Sequence, residues 1–305
     1  MHIFIQTTLN EANQTTLLQQ VGTEHTVTFR NGAAPAAPEQ IDVLMGNPPA
    51  EQIRQMSSLK FWQLDSAGFD KYAGLDLKIP ICNMGNFFAW PCAETIVGAV
   101  LALYRRLDEL AVQQRATNWI GMPLRYTMHT LHKQRVVILG AGTIGQAVRS
   151  ILAGFQCHIQ LLARTNPDAQ LHSVDDLITA LPTTDLLINT LPGSVDEFVS
   201  AAIFAAMKPG SFFANVGRGN TVDEAALITA LQNGHLGGAA LDVTLEEPLP
   251  IGNPLWAMPN VLLTQHTAGG QRGEDEGTIA QFIHSFGQFL RDEQPDNQID
   301  LGRGY

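Results

Sequence analysis

Short apolar runs alternate along this chain with stretches in which apolar positions recur at helical spacing. Met1-His2-Ile3-Phe4-Ile5 reads as a first strand. Ile41-Asp42-Val43-Leu44-Met45-Gly46 reads as a strand ending in a turn, and Phe61-Trp62-Gln63-Leu64-Asp65 as another, followed by Ser66-Ala67-Gly68. Helical patterns lie between them, so the order predicts a parallel sheet with crossover helices. Gly32 to Pro38 reads as a Gly/Ala/Pro loop. From Cys92 to Leu110 a broad apolar stripe (Ile96, Val97, Val100, Leu101, Leu103, Tyr104, Leu107) predicts a helix that connects two domains. Residues 111–134 are polar and irregular, with Trp119 and Pro123 as the expected anchors.

At Arg135 the pattern changes. Val136-Val137-Ile138-Leu139 is a continuous apolar run, as in a strand buried on both faces. Gly140-Ala141-Gly142-Thr143-Ile144-Gly145 follows, and then Ala147, Val148, Ile151 and Leu152 fall at helical spacing. Further strands are expected at His158–Leu162, Leu186–Thr190, Ser211–Val216, Leu241–Val243 and Val261–Thr264, with helices between them. One such helix is Asp223 to Gln232, with Gly234 just past its end. A last helix, Gly273 to Leu290, presents Ile279, Phe282, Ile283, Phe286 and Leu290, and is expected to pack on the first domain. The fold class is α/β with two Rossmann-like domains. A doubly wound parallel-sheet cofactor domain, residues 93–272, is inserted into a smaller flavodoxin-like substrate domain built from residues 1–92 and 273–305.

Composition narrows the function classes. Of 305 residues, 45% are hydrophobic and 15% charged, enough for two domains with cores that need no disulfide or metal. The net charge of -11, from 29 acidic and 18 basic residues, argues against a nucleic-acid partner. A small anionic substrate stays compatible, because a few placed arginines can override the global field. Cys82, Cys92 and Cys157 show no ligand spacing and read as buried thiols in a reducing compartment. The N-terminus has no basic n-region, and no run approaches the ~20 apolar residues of a membrane span. A cytoplasmic protein without membrane attachment or metal is expected.

The glycine run stands where it carries information, between a buried strand and a helix. Gly140 allows the tight turn, Gly142 lets backbone approach a pyrophosphate, and Gly145 lets helix pack on strand. The helix start at Thr143 and Ile144 offers N–H groups and a positive dipole end to the anion. The bland alternative is a Gly-rich turn with no ligand. After the second strand, Leu162-Ala163-Arg164-Thr165-Asn166 has no acid to bind a ribose 2′-hydroxyl. A carboxylate ~4 Å from a 2′-phosphate would repel it by about 4 kcal/mol at an effective dielectric of 20. Without that repulsion, Arg164 can form charge-assisted bonds and Thr165 and Asn166 can add others. NADPH is therefore expected over NADH, which stays possible if Arg164 is only a solvated surface residue.

Four motifs then follow in order. They are Phe213-Ala214-Asn215-Val216-Gly217-Arg218-Gly219, Ala240-Leu241-Asp242-Val243-Thr244-Leu245-Glu246-Glu247-Pro248, Asn253-Pro254-Leu255-Trp256 with Pro259-Asn260-Val261, and Thr264-Gln265-His266-Thr267-Ala268-Gly269. Their chemistry suits reduction of a 2-keto acid, which needs a cation for the carboxylate, a proton for the developing alkoxide and a hydride. Arg218 can grip a carboxylate through its planar fork. His266 can supply the proton, imidazole being the side chain that titrates near neutral pH. Glu247 can hold that ring and favour its charged form, although the adjacent Glu246 competes for the role. Each has a plainer reading: a satisfied histidine, a structural arginine in a turn, a strand-end acid at Asp242.

Together these motifs resemble the D-isomer-specific 2-hydroxyacid dehydrogenase family, over nearly the whole chain. The resemblance includes Ser66-Ala67-Gly68-Phe69-Asp70 and Cys92-Ala93-Glu94. The Ala163-Arg164-Thr165 segment is closest in character to the NADPH-using glyoxylate/hydroxypyruvate reductases. The resemblance implies that Ala67 and Gly68 give backbone N–H groups to the substrate carboxylate. It also implies that Leu191, Pro192, Val216, Gly217 and Asp242 lie along the cofactor, with Asp242 contacting the nicotinamide amide, and that the chain forms a homodimer. Gln265 departs from the family's usual proline, and Leu191-Pro192-Gly193-Ser194 matches the family's turn only in part. Phe69, Tyr72, Phe87, Phe88 and Trp90 read either as core or as pocket wall, with Asn47-Pro48-Pro49 beside them. A dinucleotide-sensing regulator of the C-terminal-binding corepressor type is the alternative on the same fold.

Overall fold

The computed structural model describes residues 1–30 and 35–303. Part of the loop expected from Gly32 to Pro38 lies outside them. The chain divides into two compact units, Met1–Phe88 with Gln271–Tyr305, and Ala89–Gly270. The first boundary falls four residues before the expected one, because the connecting helix starts at Ala89 and carries Cys92 inside it.

The first unit holds five parallel strands: β1 (His2–Ile5), β2 (Thr26–Phe29), β3 (Val43–Met45), β4 (Phe61–Gln63) and β5 (Ile81–Cys82). Their spatial order is β2-β1-β3-β4-β5, the flavodoxin-like arrangement. Side chains alternate across the sheet, as the period of two requires. Ile3, Ile5, Val43, Met45 and Phe61 pack with Ile279, Phe282 and Phe286 of the last helix, Glu274–Leu290. Phe4, Leu44 and Trp62 pack on the opposite face with Phe69, Tyr72 and Ile81. Phe69 and Tyr72 are thus core, not pocket wall, and the Tyr72 hydroxyl donates to Pro48 O at 2.8 Å. Phe87 is half-buried against the last helix, where a Cβ on Gly277 would stand 2.3 Å from its ring.

The second unit holds β6 (Arg135–Leu139), β7 (His158–Leu162), β8 (Leu186–Asn189), β9 (Phe212–Asn215), β10 (Gly238–Leu241) and β11 (Val261–Leu263). They form one parallel sheet in the order β11-β10-β9-β8-β6-β7, and Leu171 adds an isolated parallel bridge to Leu162. One face buries Val137, Leu139, Leu187, Phe213 and Leu241 in a single cluster. The strand expected at Leu241–Val243 lies three residues earlier. It opens on Gly238, where a Cβ would meet Asn260 O at 2.7 Å, followed by Ala239 and Ala240.

The connecting helix is two helices, Ala89–Arg105 and Leu107–Arg115, broken where Arg106 adopts φ 54. The second reaches into the segment expected to be irregular. Trp119 is no anchor, being 94% exposed; Leu124 and Leu131 are buried there. Pro123 sits in the first turn of a short helix, Met122–Arg125, where its missing N–H costs nothing.

Cys82 and Cys92 are buried and Cys157 is half-buried. Burial pushes the Cys82 thiol up to about 12 and the Cys92 thiol up to about 11, and raises that of Cys157. Because the thiolate is the nucleophile, an aromatic disulfide reagent at mildly alkaline pH should titrate no fast thiol in the native chain. All three should react in denaturant. Rapid stoichiometric labelling of the native protein would contradict the burial. Among the described residues no helix is long and apolar enough to cross a membrane.

Candidate active site

The sequence-predicted residues of the second unit cluster past the carboxyl ends of its strands, where open parallel sheets bind ligands. Beyond β6, Gly140 adopts φ 100. A Cβ at Gly145 would stand 2.4 Å from Gly140 O, so helix and loop touch through that glycine. A Cβ at Gly142 would meet nothing within 4 Å, which leaves open space on the side where a ligand would lie. Gly142 and Thr143 are exposed, and the helix Thr143–Ala153 begins without a side-chain cap. Its first N–H groups therefore suit a bound anion. These features fit a dinucleotide pyrophosphate. Beyond β7, Arg164 and Thr165 are exposed while Ala163 and Asn166 are half-buried. Asn166 Nδ2 donates to Ala141 O at 3.2 Å, tying this segment to the glycine loop.

Beyond β10 and β11, one residue organises the loop that carries His266. Asp242 is 5% exposed. Its Oδ1 accepts bonds from Thr264 Oγ1 (2.6 Å), Thr267 N (3.0 Å) and Ala268 N (3.1 Å). Its backbone carbonyl accepts from His266 N at 2.6 Å. Gln265 and His266 both adopt positive φ, 56 and 55. Proline is locked near φ -65, so the family's usual residue could not occupy position 265 in this turn.

His266 Nδ1 lies 2.5 Å from Glu247 Oε2. An ionised carboxylate only accepts, so Nδ1 carries a hydrogen and Nε2 is the ring nitrogen left for proton transfer. Glu247 Oε1 in turn accepts from Thr244 N at 3.0 Å. Of the two adjacent acids it is Glu247 that meets the imidazole. Glu224, which sequence reasoning missed, braces the same loop by accepting from Leu245 N at 2.9 Å and Asn253 Nδ2 at 2.8 Å. Its signal was position: an acid in the first turn of the helix Glu224–Gln232. A cavity of 460 Å³ opens beside the pair, lined by Asp242, Glu247, Trp256, Leu263, Gln265 and His266 among others.

Arg218 follows β9 and is half-buried, with Nη1 donating to Gly217 O at 2.8 Å. The glycines beside it permit close approach on both sides. A Cβ at Gly217 would stand 2.5 Å from Leu191 O, and one at Gly219 only 1.8 Å from Thr244 O. The Arg218 turn is thus wedged between the Leu191-Pro192 turn and the loop that holds Glu247. Val216 beside it is buried.

Ala67 and Gly68 lie in the first unit, in a turn held through its carbonyls. Ser66 O accepts from Met84 N (3.1 Å), Ala67 O from Asn83 Nδ2 (2.7 Å) and Gly68 O from Ser66 Oγ (2.7 Å). Asn47 Nδ2 donates to Ser66 Oγ at 2.9 Å.

Known proteins resemble this chain in sequence and in fold. The family model described as D-isomer specific 2-hydroxyacid dehydrogenase, NAD binding domain, matches residues 97–268. A glyoxylate/hydroxypyruvate reductase B of Escherichia fergusonii is 31% identical over 271 residues, 82% of this chain and 84% of that protein. A glyoxylate/hydroxypyruvate reductase A of Yersinia enterocolitica is 29% identical over 279 residues, 86% and 87% of the two chains. Among solved structures, a D-isomer specific 2-hydroxyacid dehydrogenase from Xanthobacter autotrophicus Py2, in complex with NADPH and MES, aligns with a TM-score of 0.83 at 27% identity. That alignment covers 100% of this chain and 99% of the other. A glycine loop open to an anion, a carboxylate-braced histidine and a family match over more than half the residues lead to one assignment: the chain belongs to the D-isomer specific 2-hydroxyacid dehydrogenase family of oxidoreductases.

Proposed function

We propose that this protein reduces a small anionic 2-keto acid, of the glyoxylate and hydroxypyruvate class, to the D-2-hydroxy acid with NADPH. The observation that carries the reading is the His266–Glu247 pair at 2.5 Å, with a guanidinium beyond the end of a nearby strand of the same sheet. His266 donates a proton from Nε2 to the keto oxygen as negative charge develops there. Glu247 holds the ring in the orientation that presents Nε2. Arg218 binds the substrate carboxylate, and the amides of Ala67 and Gly68 are further carboxylate donors. When bound, NADPH supplies the hydride.

Gly140, Gly142, Thr143, Ile144 and Gly145 would hold the pyrophosphate. Arg164 and Thr165 would hold the 2′-phosphate, and Leu191, Pro192, Val216, Gly217 and Asp242 would line the nicotinamide end. Two relatives named glyoxylate/hydroxypyruvate reductases and a similar structure bound to NADPH support the substrate class and the cofactor. Exposed apolar residues of the 107–126 segment, among them Leu107, Val112, Trp119, Met122 and Tyr126, support self-association there as a homodimer.

The test is NADPH consumption by the purified protein against a panel of 2-keto acids, repeated with NADH. Turnover of glyoxylate or hydroxypyruvate is expected, with kcat/KM favouring NADPH by about a hundredfold, as a few kcal/mol at the 2′-phosphate implies. A preference for NADH would refute the assignment of Arg164. NADPH binding without turnover of any keto acid would refute the enzymatic reading and favour a dinucleotide sensor.

A further inference from the structure

Three polar side chains lie fully inside the second unit where an apolar core would be expected. Asn189 ends β8, Asn215 ends β9, and Thr221 follows the Arg218 turn; they are 0%, 2% and 0% exposed. Burying such groups costs free energy unless each is bonded, and these bond to one another. Asn189 Nδ2 donates to Asn215 Oδ1 at 3.0 Å and to Thr221 Oγ1 at 2.6 Å. Both amide hydrogens of Asn189 are thereby used. Its Oδ1 accepts from Leu191 N at 3.1 Å, which fixes which way the amide faces.

The far ends of the network converge on one residue. Thr221 Oγ1 donates to Arg218 O at 2.6 Å, and Asn215 Nδ2 donates to the same carbonyl at 3.2 Å. Asn215 Oδ1 also accepts from Gly217 N at 3.0 Å. The carbonyl of Arg218 is therefore held by two buried side chains. A main-chain bond from Thr221 N joins the two at the same carbonyl (3.3 Å), and Arg218 Nη1 donates to Gly217 O at 2.8 Å.

We propose that Asn189, Asn215 and Thr221 are positioning residues for Arg218. They set the guanidinium relative to the Leu191-Pro192 turn and so tune affinity for the carboxylate of the substrate. Asn189 is the hinge of the device, because it bonds both the Leu191 turn and the residue that holds the arginine. The inference rests on the reading of Arg218 as the carboxylate-binding residue.

Thr221 gives the discriminating experiment, on the full chain with NADPH and its best keto acid. Thr221→Val keeps the shape and removes the hydroxyl; Thr221→Ser keeps the hydroxyl and removes a methyl group. Positioning predicts that Thr221→Val raises KM for the keto acid by about tenfold, the scale of one lost hydrogen bond. KM for NADPH and kcat should stay within about twofold, and Thr221→Ser should restore the keto-acid KM. A packing role predicts the opposite ranking, and that ranking would overturn the proposal. If Thr221→Val does not fold, Thr221→Ala carries the same readout.

Measurements in an Arg218→Ala background separate the two layers. There Thr221→Val should add less than about twofold, because residues acting through one group are not additive. If Arg218→Ala raises KM but Thr221→Val does not, the network proposal alone falls. If Arg218→Ala leaves KM unchanged, the carboxylate reading falls and the network role falls with it.

Discussion

Replacing His266 with asparagine should lower kcat for keto-acid reduction by roughly 10²- to 10⁴-fold, the usual contribution of a positioned general acid. Asparagine suits this test for a backbone reason. Position 266 adopts φ 55, and asparagine tolerates the left-handed region better than most residues. The amide can still donate to Glu247, and the main-chain bond from position 266 to Asp242 O needs no side chain. What is lost is a titrating nitrogen at the place of Nε2. NADPH affinity, measured by fluorescence titration, should be preserved, because the glycine loop is untouched. A variant with near-normal kcat would remove His266 from the mechanism; a variant that also lost NADPH binding would point to collapse of the loop.

Gly219→Ala should be almost as damaging, although residue 219 carries no functional group. Its Cβ would stand 1.8 Å from Thr244 O, 2.1 Å from Thr244 C and 2.6 Å from Leu245 N. These are main-chain atoms, so no rotamer change relieves the clash, and the two turns must separate by at least about 1 Å. One turn carries Arg218 and the other carries Thr244, whose N–H holds Glu247. A misplacement of ~1 Å can cost about a hundredfold in rate. We therefore expect kcat/KM to fall by about a hundredfold, with a loss of stability of about 1–3 kcal/mol from overpacking. Gly252→Ala is the control: its Cβ would meet nothing within 4 Å, and kcat/KM should stay within about twofold, as for an ordinary surface change. Equal behaviour of the two variants would show that the close approach at Gly219 is not required.

Much of the fold was legible because buried parallel strands read as apolar runs. Val136–Leu139, His158–Leu162 and Leu186–Ile188 declare themselves by β-branched and leucine content. β10 did not, since it opens on Gly238, where close packing excludes a side chain, and two alanines, which carry no strand signal. β2 was missed because none of its four residues is buried, so it shows no apolar run. The break at Arg106 hid inside a continuous apolar stripe, where nothing in residue type marks a left-handed turn. At the site, the motifs named Arg218, Glu247 and His266 directly, because their chemistry lies in their side chains. The hydrogen bonds around Arg218 could not be read from the motif. Asn215 and Thr221 flank the Arg218 turn, and Asn189, from the neighbouring strand, meets them only once the sheet has formed. Asp242 was noticed for a cofactor contact, whereas the bonds seen in the structure are to the His266 loop.

That last arrangement bears on motion. β11 lies at the rim of its sheet, paired on one side only, and rim strands are among the first to open in local fluctuations. His266 comes directly after this strand, yet its segment is suspended from Asp242, at the end of the inner strand β10. Breathing of the rim therefore does not have to carry His266 with it. The imidazole inherits the steadiness of the sheet interior while sitting at its margin.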